Sequence, residues 1–257
     1  MDKGLQAELL TLATEIAHKA GNLLSQRPDT FDINQKSSAV DFATQMDIAS
    51  EKLIVDSIVR VRPDDGIFGE EGSDRTGTSG ITWVIDPLDG TVNYFYGMPG
   101  WNVSIAVKDS DGVQVGVVYA PTVGGLWQGV RGGGSTYNGK AIACNDPVPL
   151  DRALIATGLS YDIARRTEQA ELISRLIPQI RDIRRNGAAA VDLCMVAMGA
   201  LDAYYEKGTK EWDHAAGGLI AQEAGALVTG RRGGAAGEEM VIAAGPTLHA
   251  QLVREID

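Results

Sequence analysis

The sequence predicts an α+β protein in which helical and strand patterns alternate along nearly the whole chain. Three observations carry that expectation. Residues 5–25 place Leu5, Leu9, Leu12, Ile16, Ala20 and Leu23 at spacings of three and four, the period of an amphipathic helix. From Ile81 the texture changes to short apolar, β-favouring runs at 82–85, 103–107 and 113–119. Beyond Pro149, helical periodicity at 169–183, 188–199 and 213–225 is interleaved with apolar runs at 153–157, 203–206 and 240–244.

The first helix is the 5–25 stretch. A second is predicted from about Thr44 to Arg62, with Ile54, Ile58 and Val61 inward, Pro63 beyond its end and Asp47 in its first turn. The runs at 103–107 and 113–119 form a hairpin because Asp109-Ser-Asp-Gly112 between them is a turn sequence. Gly132-Gly-Gly134 and Tyr137-Asn-Gly139 mark further turns. Asp146-Pro-Val-Pro149 closes the β-rich region and divides the chain into an N-terminal lobe, 1–148, and a C-terminal lobe, 149–257, packed as one compact unit. No internal repeat is visible, and Gly230-Arg-Arg-Gly-Gly-Ala-Ala-Gly237 reads as a mobile surface loop without chemistry.

At 257 residues, with 44% hydrophobic and 22% charged positions, the chain has the composition of a soluble globular protein with a sizeable core. A net charge of -11 leaves no diffuse positive field for a nucleic-acid backbone or an anionic membrane, so neither is an expected partner. Any phosphate must then be held locally, by divalent cations, backbone N–H groups or a few placed basic residues. Cys144 and Cys194 form neither a metal-ligand spacing nor a redox pair and read as free thiols. Met1-Asp-Lys-Gly-Leu-Gln-Ala-Glu8 is unlike a secretory signal, no stretch reaches transmembrane length, and a cytoplasmic location is expected.

Chemistry concentrates at three places. In Trp83-Val-Ile-Asp-Pro-Leu-Asp-Gly-Thr-Val-Asn93, Asp86 and Asp89 leave the end of a buried strand around a turn-enforcing proline. Two carboxylates there suit hard cations such as Mg²⁺, which take carboxylates, carbonyls and waters. The same four residues, Asp-Pro-Leu-Asp, are also compatible with a plain turn and helix N-cap. Gly69-Glu-Glu-Gly72 follows the apolar step Ile67-Phe68, and Trp212-Asp213-His-Ala-Ala opens a helix far downstream. Taken singly, Glu70 and Glu71 read as a solvated loop and Asp213 as an N-cap; together they are acids that can converge.

These segments resemble the two signatures of the inositol monophosphatase family. The likeness continues through Lys36-Ser-Ser-Ala-Val-Asp-Phe-Ala-Thr-Gln-Met-Asp47, Arg184-Arg-Asn-Gly-Ala-Ala-Ala-Val-Asp-Leu-Cys194 and Gly199-Ala-Leu-Asp-Ala-Tyr-Tyr-Glu206, and covers nearly the whole chain. It implies a five-layered αβαβα sandwich, a homodimer, and a Mg²⁺-dependent phosphatase that is inhibited by Li⁺. It also implies two or three Mg²⁺ per site. Glu70, Asp86 and the Leu88 carbonyl hold the first and Asp86, Asp89 and Asp213 the second, with a looser third near Glu70. Such ions would resolve how so acidic a protein binds a phosphate dianion.

By the same resemblance, Gly90 and Thr91 offer backbone N–H groups to the phosphate, and the Thr91 hydroxyl paired with Asp47, with Glu70 close by, orients and deprotonates the attacking water. No nucleophilic side chain is required, so His18, His214, His249 and Cys194 are assigned to packing. Substrate contacts would come from Asp89, Gly90, Thr91, Arg184, Gly187, Ala188, Ala189, Glu206 and Asp213. Family members more often carry Ser or Thr at Ala188, a departure that bears on substrate preference. Glu206 favours a polyol such as myo-inositol, because a carboxylate accepts from vicinal hydroxyls; its alternative is a salt bridge to Lys207 or Lys210. The expected substrate is myo-inositol 1-phosphate or a related sugar-like phosphomonoester. Sister activities on fructose 1,6-bisphosphate, NADP, histidinol phosphate or 3′-phosphoadenosine phosphates, and a regulatory binding protein of the same fold, are the alternatives.

Overall fold

The 82–89 segment turns Trp83 and Ile85 to one side and Val84 to the other, and this period of two assigns its sides to different cores. A computed structural model describes residues 1–38 and 40–257. Ala39, inside the 36–47 stretch that carries part of the family resemblance, lies outside the described residues. The helices are α1 (Lys3–Leu24), α2 (Gln45–Val61), α3 (Thr91–Tyr96), α4 (Ile163–Leu176), α5 (Ala189–Ala197), α6 (Glu211–Glu223) and α7 (Pro246–Ile256).

A hairpin of β1 (Ile33–Ser38) and β2 (Asp41–Thr44) leads into α2. The larger sheet joins β3 (Gly66–Gly69), β4 (Thr82–Asp89), β5 (Asn102–Asp109), β6 (Gly112–Ala120), β7 (Gly125–Val130), β8 (Gly134–Tyr137) and β9 (Lys140–Ala141) in sequence order. β3 and β4 are parallel; the later pairs are antiparallel. The second sheet is built from β10 (Leu154–Thr157), β11 (Asp182–Arg184), β12 (Ala203–Glu206), β13 (Leu227–Thr229) and β14 (Val241–Ala244), in spatial order β11-β10-β12-β14-β13.

The layers follow from which residues share a core. Leu9 and Ile16 of α1 and Ile54 and Ile58 of α2 pack on the Trp83, Ile85, Ile105 and Val117 side of the larger sheet. Its other side, with Val84, Val118 and Trp127, meets α5 and α6, which meet Ala156, Tyr204 and Val241 of the second sheet in turn. Leu172 and Leu176 of α4 and Leu248 and Leu252 of α7 cover the remaining face, Ile155, Tyr205 and Ile242. The result is the αβαβα sandwich that the resemblance implies. α6 lies directly on the larger sheet because Gly116 has no side chain: a Cβ there would stand 2.7 Å from Ala216 O.

α1, α2 and the 102–120 hairpin fall where the periodicity puts them, but Val61, expected inward, is the last residue of α2 and is exposed, because the helix ends there before it can complete another inward turn. The helix expected at 169–183 is displaced. It starts at Ile163, where Asp162 Oδ1 accepts from Arg165 N at 2.8 Å, and ends at Leu176, two residues before Pro178. Residues 182–184 instead form the edge strand β11. α7 shows helical spacing at Leu248, Leu252 and Ile256, a signal the sequence reading does not use. The 230–237 stretch is a loop held to the chain end, with Arg231 Nη2 donating to Ile256 O at 3.1 Å. Among the described residues no helix is long and apolar enough to cross a membrane.

Candidate active site

The centre of the site is a β-bulge. Asp86 pairs with Ser104 and Asp89 with Asn102, so three steps along β4 match two along β5. The slip turns both carboxylates toward the C-terminal end of the strand. Asp86 Oδ1 accepts from Leu88 N at 3.0 Å, and Ser50 Oγ on α2 donates to Pro87 O at 2.8 Å. Asp89 Oδ2 accepts from Asn102 Nδ2 at 2.8 Å and from Ala190 N at 2.9 Å. Gly90 follows at φ +89, and a Cβ there would crowd Ala188 Cβ and Gly187 O, each at 3.3 Å.

Asp47 is the third residue of α2 and closes a capping box: its Oδ2 accepts from Thr44 N at 2.8 Å and from Thr44 Oγ1 at 2.6 Å. Its other oxygen accepts from Thr91 Oγ1 at 2.8 Å. The pair expected from the resemblance is therefore formed in the resting geometry. Burial pushes Asp47 up against the opposing effect of these hydrogen bonds.

Glu70 follows β3, with Lys36 Nζ from the β1 strand 2.7 Å from its Oε1 and 2.6 Å from Glu71 Oε1. Burial opposes the Lys36 charge, but these two ion pairs outweigh it and hold the ammonium above its ordinary range. Beneath the loop, the buried Glu51 accepts from Glu71 N at 2.9 Å and Ser73 N at 3.0 Å. Gly69 leaves room for it, since a Cβ would stand 2.6 Å from Glu51 Oε2. Asp213 is the third residue of α6, and its Oδ2 accepts from Lys210 N at 2.6 Å. Beside it the Trp212 ring packs on Phe68, centroids 5.0 Å apart.

These elements enclose a cavity of about 550 Å³ lined by Glu70, Asp86, Leu88, Asp89, Gly90 and Thr91 on one side and by Gly187, Ala188, Ala189, Glu206 and Asp213 on the other. Asp47 stands behind Thr91. Arg184 departs from expectation: it pairs with Asp182 at 2.6 Å on the exposed edge of β11, while its neighbour Arg185, just past the strand, lines the cavity. Adjacent residues leaving a strand point opposite ways, so the sequence motif alone does not choose between them. Among the described residues Glu206 pairs with no lysine: Lys207 pairs with Glu168 and Lys210 with Glu238. Instead its Oε2 accepts from Tyr204 OH at 2.7 Å. A Cβ on Gly158 would stand 1.9 Å from that same oxygen, so Gly158 defines where Glu206 sits. Ala188 is the N-cap of α5 without a side-chain cap bond; the Asp89 carboxylate serves the helix in its place. Lys36, Arg185 and Asp192 lie inside the segments that carry the resemblance without being given a role there, and Glu51 and Gly158 lie outside those segments. For Glu51 and Gly158 no sequence signal exists, because both act through contacts across the fold.

His249 is buried with Nε2 2.8 Å from Thr229 Oγ1, and the His18 ring packs tilted against Tyr119, centroids 4.3 Å apart, in keeping with packing roles. His214, next to Asp213, has a buried Nδ1 without a partner among the described residues.

The cavity is short of positive charge. Burial pushes Asp86 well up, reinforced by Glu70, Asp89 and Asp213. Burial likewise pushes Asp213 well up and Asp89 up to about 6. Glu206 rises to about 7 and Asp192 to about 8, both chiefly through burial. Among the described residues no group of three or more His, Cys, Asp or Glu side chains is drawn together to hold an ion as it stands. The donor chemistry nevertheless fits a hard divalent cation: oxygen donors with a bulged carbonyl among them, in a pocket whose carboxylates resist ionising together for lack of a counter-charge.

A layered α+β fold with a carboxylate-lined cavity of about 550 Å³, large enough for a small phosphorylated metabolite, defines the class of protein. Comparison with known proteins gives the family. The sequence profile of the inositol monophosphatase family matches residues 5–257, and the chain belongs to that family. A protein of Mycobacterium leprae described as inositol-1-monophosphatase is 43% identical over 83% of this chain and 77% of its own. A protein of Escherichia coli described as Nus factor SuhB is 38% identical over 88% of this chain and 86% of its own. The solved structure of an inositol monophosphatase from Anabaena superposes with a TM-score of 0.86 at 34% identity, covering 99% of this chain and 96% of that one.

Proposed function

We propose that the chain is a Mg²⁺-dependent phosphatase that hydrolyses myo-inositol 1-phosphate or a related sugar-like phosphomonoester to the alcohol and phosphate. The observation that carries this reading is the convergence of Glu70, Asp86, Asp89 and Asp213 on one cavity beside a Thr91 hydroxyl already bonded to Asp47 at 2.8 Å. Glu70, Asp86 and the Leu88 carbonyl would hold one Mg²⁺ and Asp86, Asp89 and Asp213 another, with a third near Glu70. When bound, such ions neutralise phosphate charge and acidify water.

The chain's own residues then orient and move the proton. Thr91 Oγ1 gives its hydrogen to Asp47 Oδ1, which leaves a hydroxyl lone pair free to accept from an attacking water, and Asp47 is the final acceptor. Gly90 and Thr91 N–H groups turn toward phosphate oxygens. Glu206, held by Tyr204, accepts from vicinal hydroxyls of the alcohol, with Gly187, Ala188 and Ala189 forming the wall beside it. Li⁺ inhibition, a homodimer, a cytoplasmic location and the division into lobes 1–148 and 149–257 belong to the same reading.

The test is phosphate release from myo-inositol 1-phosphate, fructose 1,6-bisphosphate, histidinol phosphate and NADP at matched Mg²⁺, with and without Li⁺. Myo-inositol 1-phosphate is expected to rank first; release from none of the four would overturn the phosphatase. A second reading, a regulatory binding protein, is favoured by the 38% identity to the Escherichia coli protein described as a Nus factor. A partner whose binding survives Asp213→Asn, with a cellular phenotype indifferent to that substitution, supports it.

A further inference from the structure

Asn102 opens β5 directly opposite Asp89, where the bulge of β4 ends. Along β5 the sides alternate: Val103 and Ile105 belong to the core shared with α1 and α2, and Ala106 to the core shared with α5 and α6. Asn102 and Ser104 stand on the Ala106 side, on a face that Val84, Val118 and Trp127 otherwise make apolar. Asn102 is fully buried there. Its Nδ2 donates to Asp89 Oδ2 at 2.8 Å, with Asp89 O a longer 3.5 Å away. Among the described residues the side chain makes no other hydrogen bond, and its Oδ1 is buried without a partner. A buried carbonyl oxygen left unpaired costs stability, which an apolar side chain at the same position would avoid. Within the fold, the amide serves Asp89 alone.

Asp89 Oδ2 is held from two layers at once, by Asn102 of the larger sheet and by Ala190 N at the start of α5, 2.9 Å away. Asp89 lines the active cavity at only 8% exposure, so water does little to fix its orientation. Two donors on one oxygen do: the carboxylate cannot turn about its last bond without breaking one of them. With Ala190 N alone, that oxygen would be a pivot. A ligand whose direction is set before an ion arrives binds it more tightly, because less ordering remains to be done.

We propose that Asn102 is a positioning residue of the active cavity, which sets the Asp89 carboxylate for the Mg²⁺ assigned to Asp86, Asp89 and Asp213; this rests on the phosphatase reading above. Asn102 does not line the cavity and acts only through Asp89. Its effect is therefore on how readily the ion is held, and excess Mg²⁺ compensates for its loss. A residue that served packing alone would change the melting temperature and leave Mg²⁺ affinity as it was.

The test is calorimetric titration of the full chain with Mg²⁺, beside a thermal melt in chelator. In Asn102→Ala the Mg²⁺ affinity is expected to fall about 10–100-fold, the usual effect of removing an outer hydrogen bond to a metal ligand. The melting temperature in chelator should move by a few degrees at most, because the unpaired carbonyl oxygen leaves together with the donor. The Mg²⁺ concentration giving half-maximal phosphate release from myo-inositol 1-phosphate should rise by the same factor, and saturating Mg²⁺ should restore most of kcat. Asn102→Ser also removes the amide but leaves a smaller void, and keeps the test valid if the alanine variant does not fold. Wild-type Mg²⁺ affinity in a folded variant, a loss of activity that saturating Mg²⁺ does not restore, or unfolding of both variants each overturns the role given to Asn102. A wild-type chain that binds Mg²⁺ and releases phosphate confines such a failure to Asn102; one that does neither overturns the phosphatase reading and this inference with it.

Discussion

Asp89 Oδ2 accepts from Ala190 N at 2.9 Å across 101 positions of sequence. One carboxylate thus fastens the bulge of the larger sheet to the first turn of α5, where Ala188 supplies no cap. In the proposed mechanism the same residue is a metal ligand, so its structural and chemical roles can be separated by substitution. Asp89→Asn keeps an oxygen for Ala190 N and removes the charge. Phosphate release is expected to fall at least about a hundredfold, in line with the loss of a key electrostatic group, while the melting temperature moves by a few degrees at most. A comparable fall in melting temperature and activity would mean that the tether, not the ligand, dominates.

Gly158 leaves no room for a side chain beside Glu206 Oε2. Gly158→Ala is expected to displace Glu206, raising KM for inositol 1-phosphate several-fold with a smaller change in kcat. Overpacking of this kind costs about 1–3 kcal/mol of stability. Steady-state kinetics with a thermal melt would read both effects, and an unchanged KM would remove Glu206 from substrate recognition.

Asp192 lies in the cavity wall at 2% exposure and is pushed up to about 8 by burial, against the hydrogen bond from Asn186 Nδ2. A carboxyl raised in the folded state binds protons more tightly there than in the unfolded chain. Its stabilising contribution is therefore full below the unfolded value near 4 and lost as pH rises through about 8. Asp192→Asn should flatten the fall in unfolding free energy between pH 5 and 9 by an amount of order a few kcal/mol, read as a flatter dependence of melting temperature on pH. Parallel melting curves for the two proteins across that range would contradict the assignment.

Added Mg²⁺ is expected to raise the melting temperature, because ligands that bind the folded state alone stabilise it by about 2.7 kcal/mol at a hundred times Kd. The shift should shrink in Asp213→Asn, and chelator should abolish it. Equal shifts in both proteins would place the cation elsewhere.

Thr91→Val removes the hydroxyl that donates to Asp47 at 2.8 Å, and Thr91→Ser retains it. The valine variant should lose at least about a hundredfold in kcat, a typical contribution of proton transfer by a positioned group, with KM little changed, and serine should restore most of it. Failure of serine to rescue would assign the loss to packing.

The elements that the sequence predicts best are those with the most regular periodicity: α1 with Leu9, Ile16 and Ala20, and the 102–120 hairpin. α4 was displaced because Asp162 and Pro178, rather than the apolar spacing, set its ends. In the site, the acids Glu70, Asp86, Asp89 and Asp213 are legible through the family resemblance, since each taken singly also reads as a turn, loop or cap, and the cavity draws in all four. The motif does not tell Arg184 from Arg185, because it fixes a place along the strand and not the direction in which a side chain leaves it.

The amino-acid sequence by itself determined the family, the alternating α+β pattern and the kinds of donor atoms, since these rest on residue type and short-range spacing. Tertiary structure alone decided which atoms meet: Glu51 beneath Gly69, Asp89 capping α5, Gly158 fixing Glu206, and Arg185 rather than Arg184 at the cavity. Each depends on close packing between segments far apart in sequence, where ångström differences in approach decide whether a contact forms.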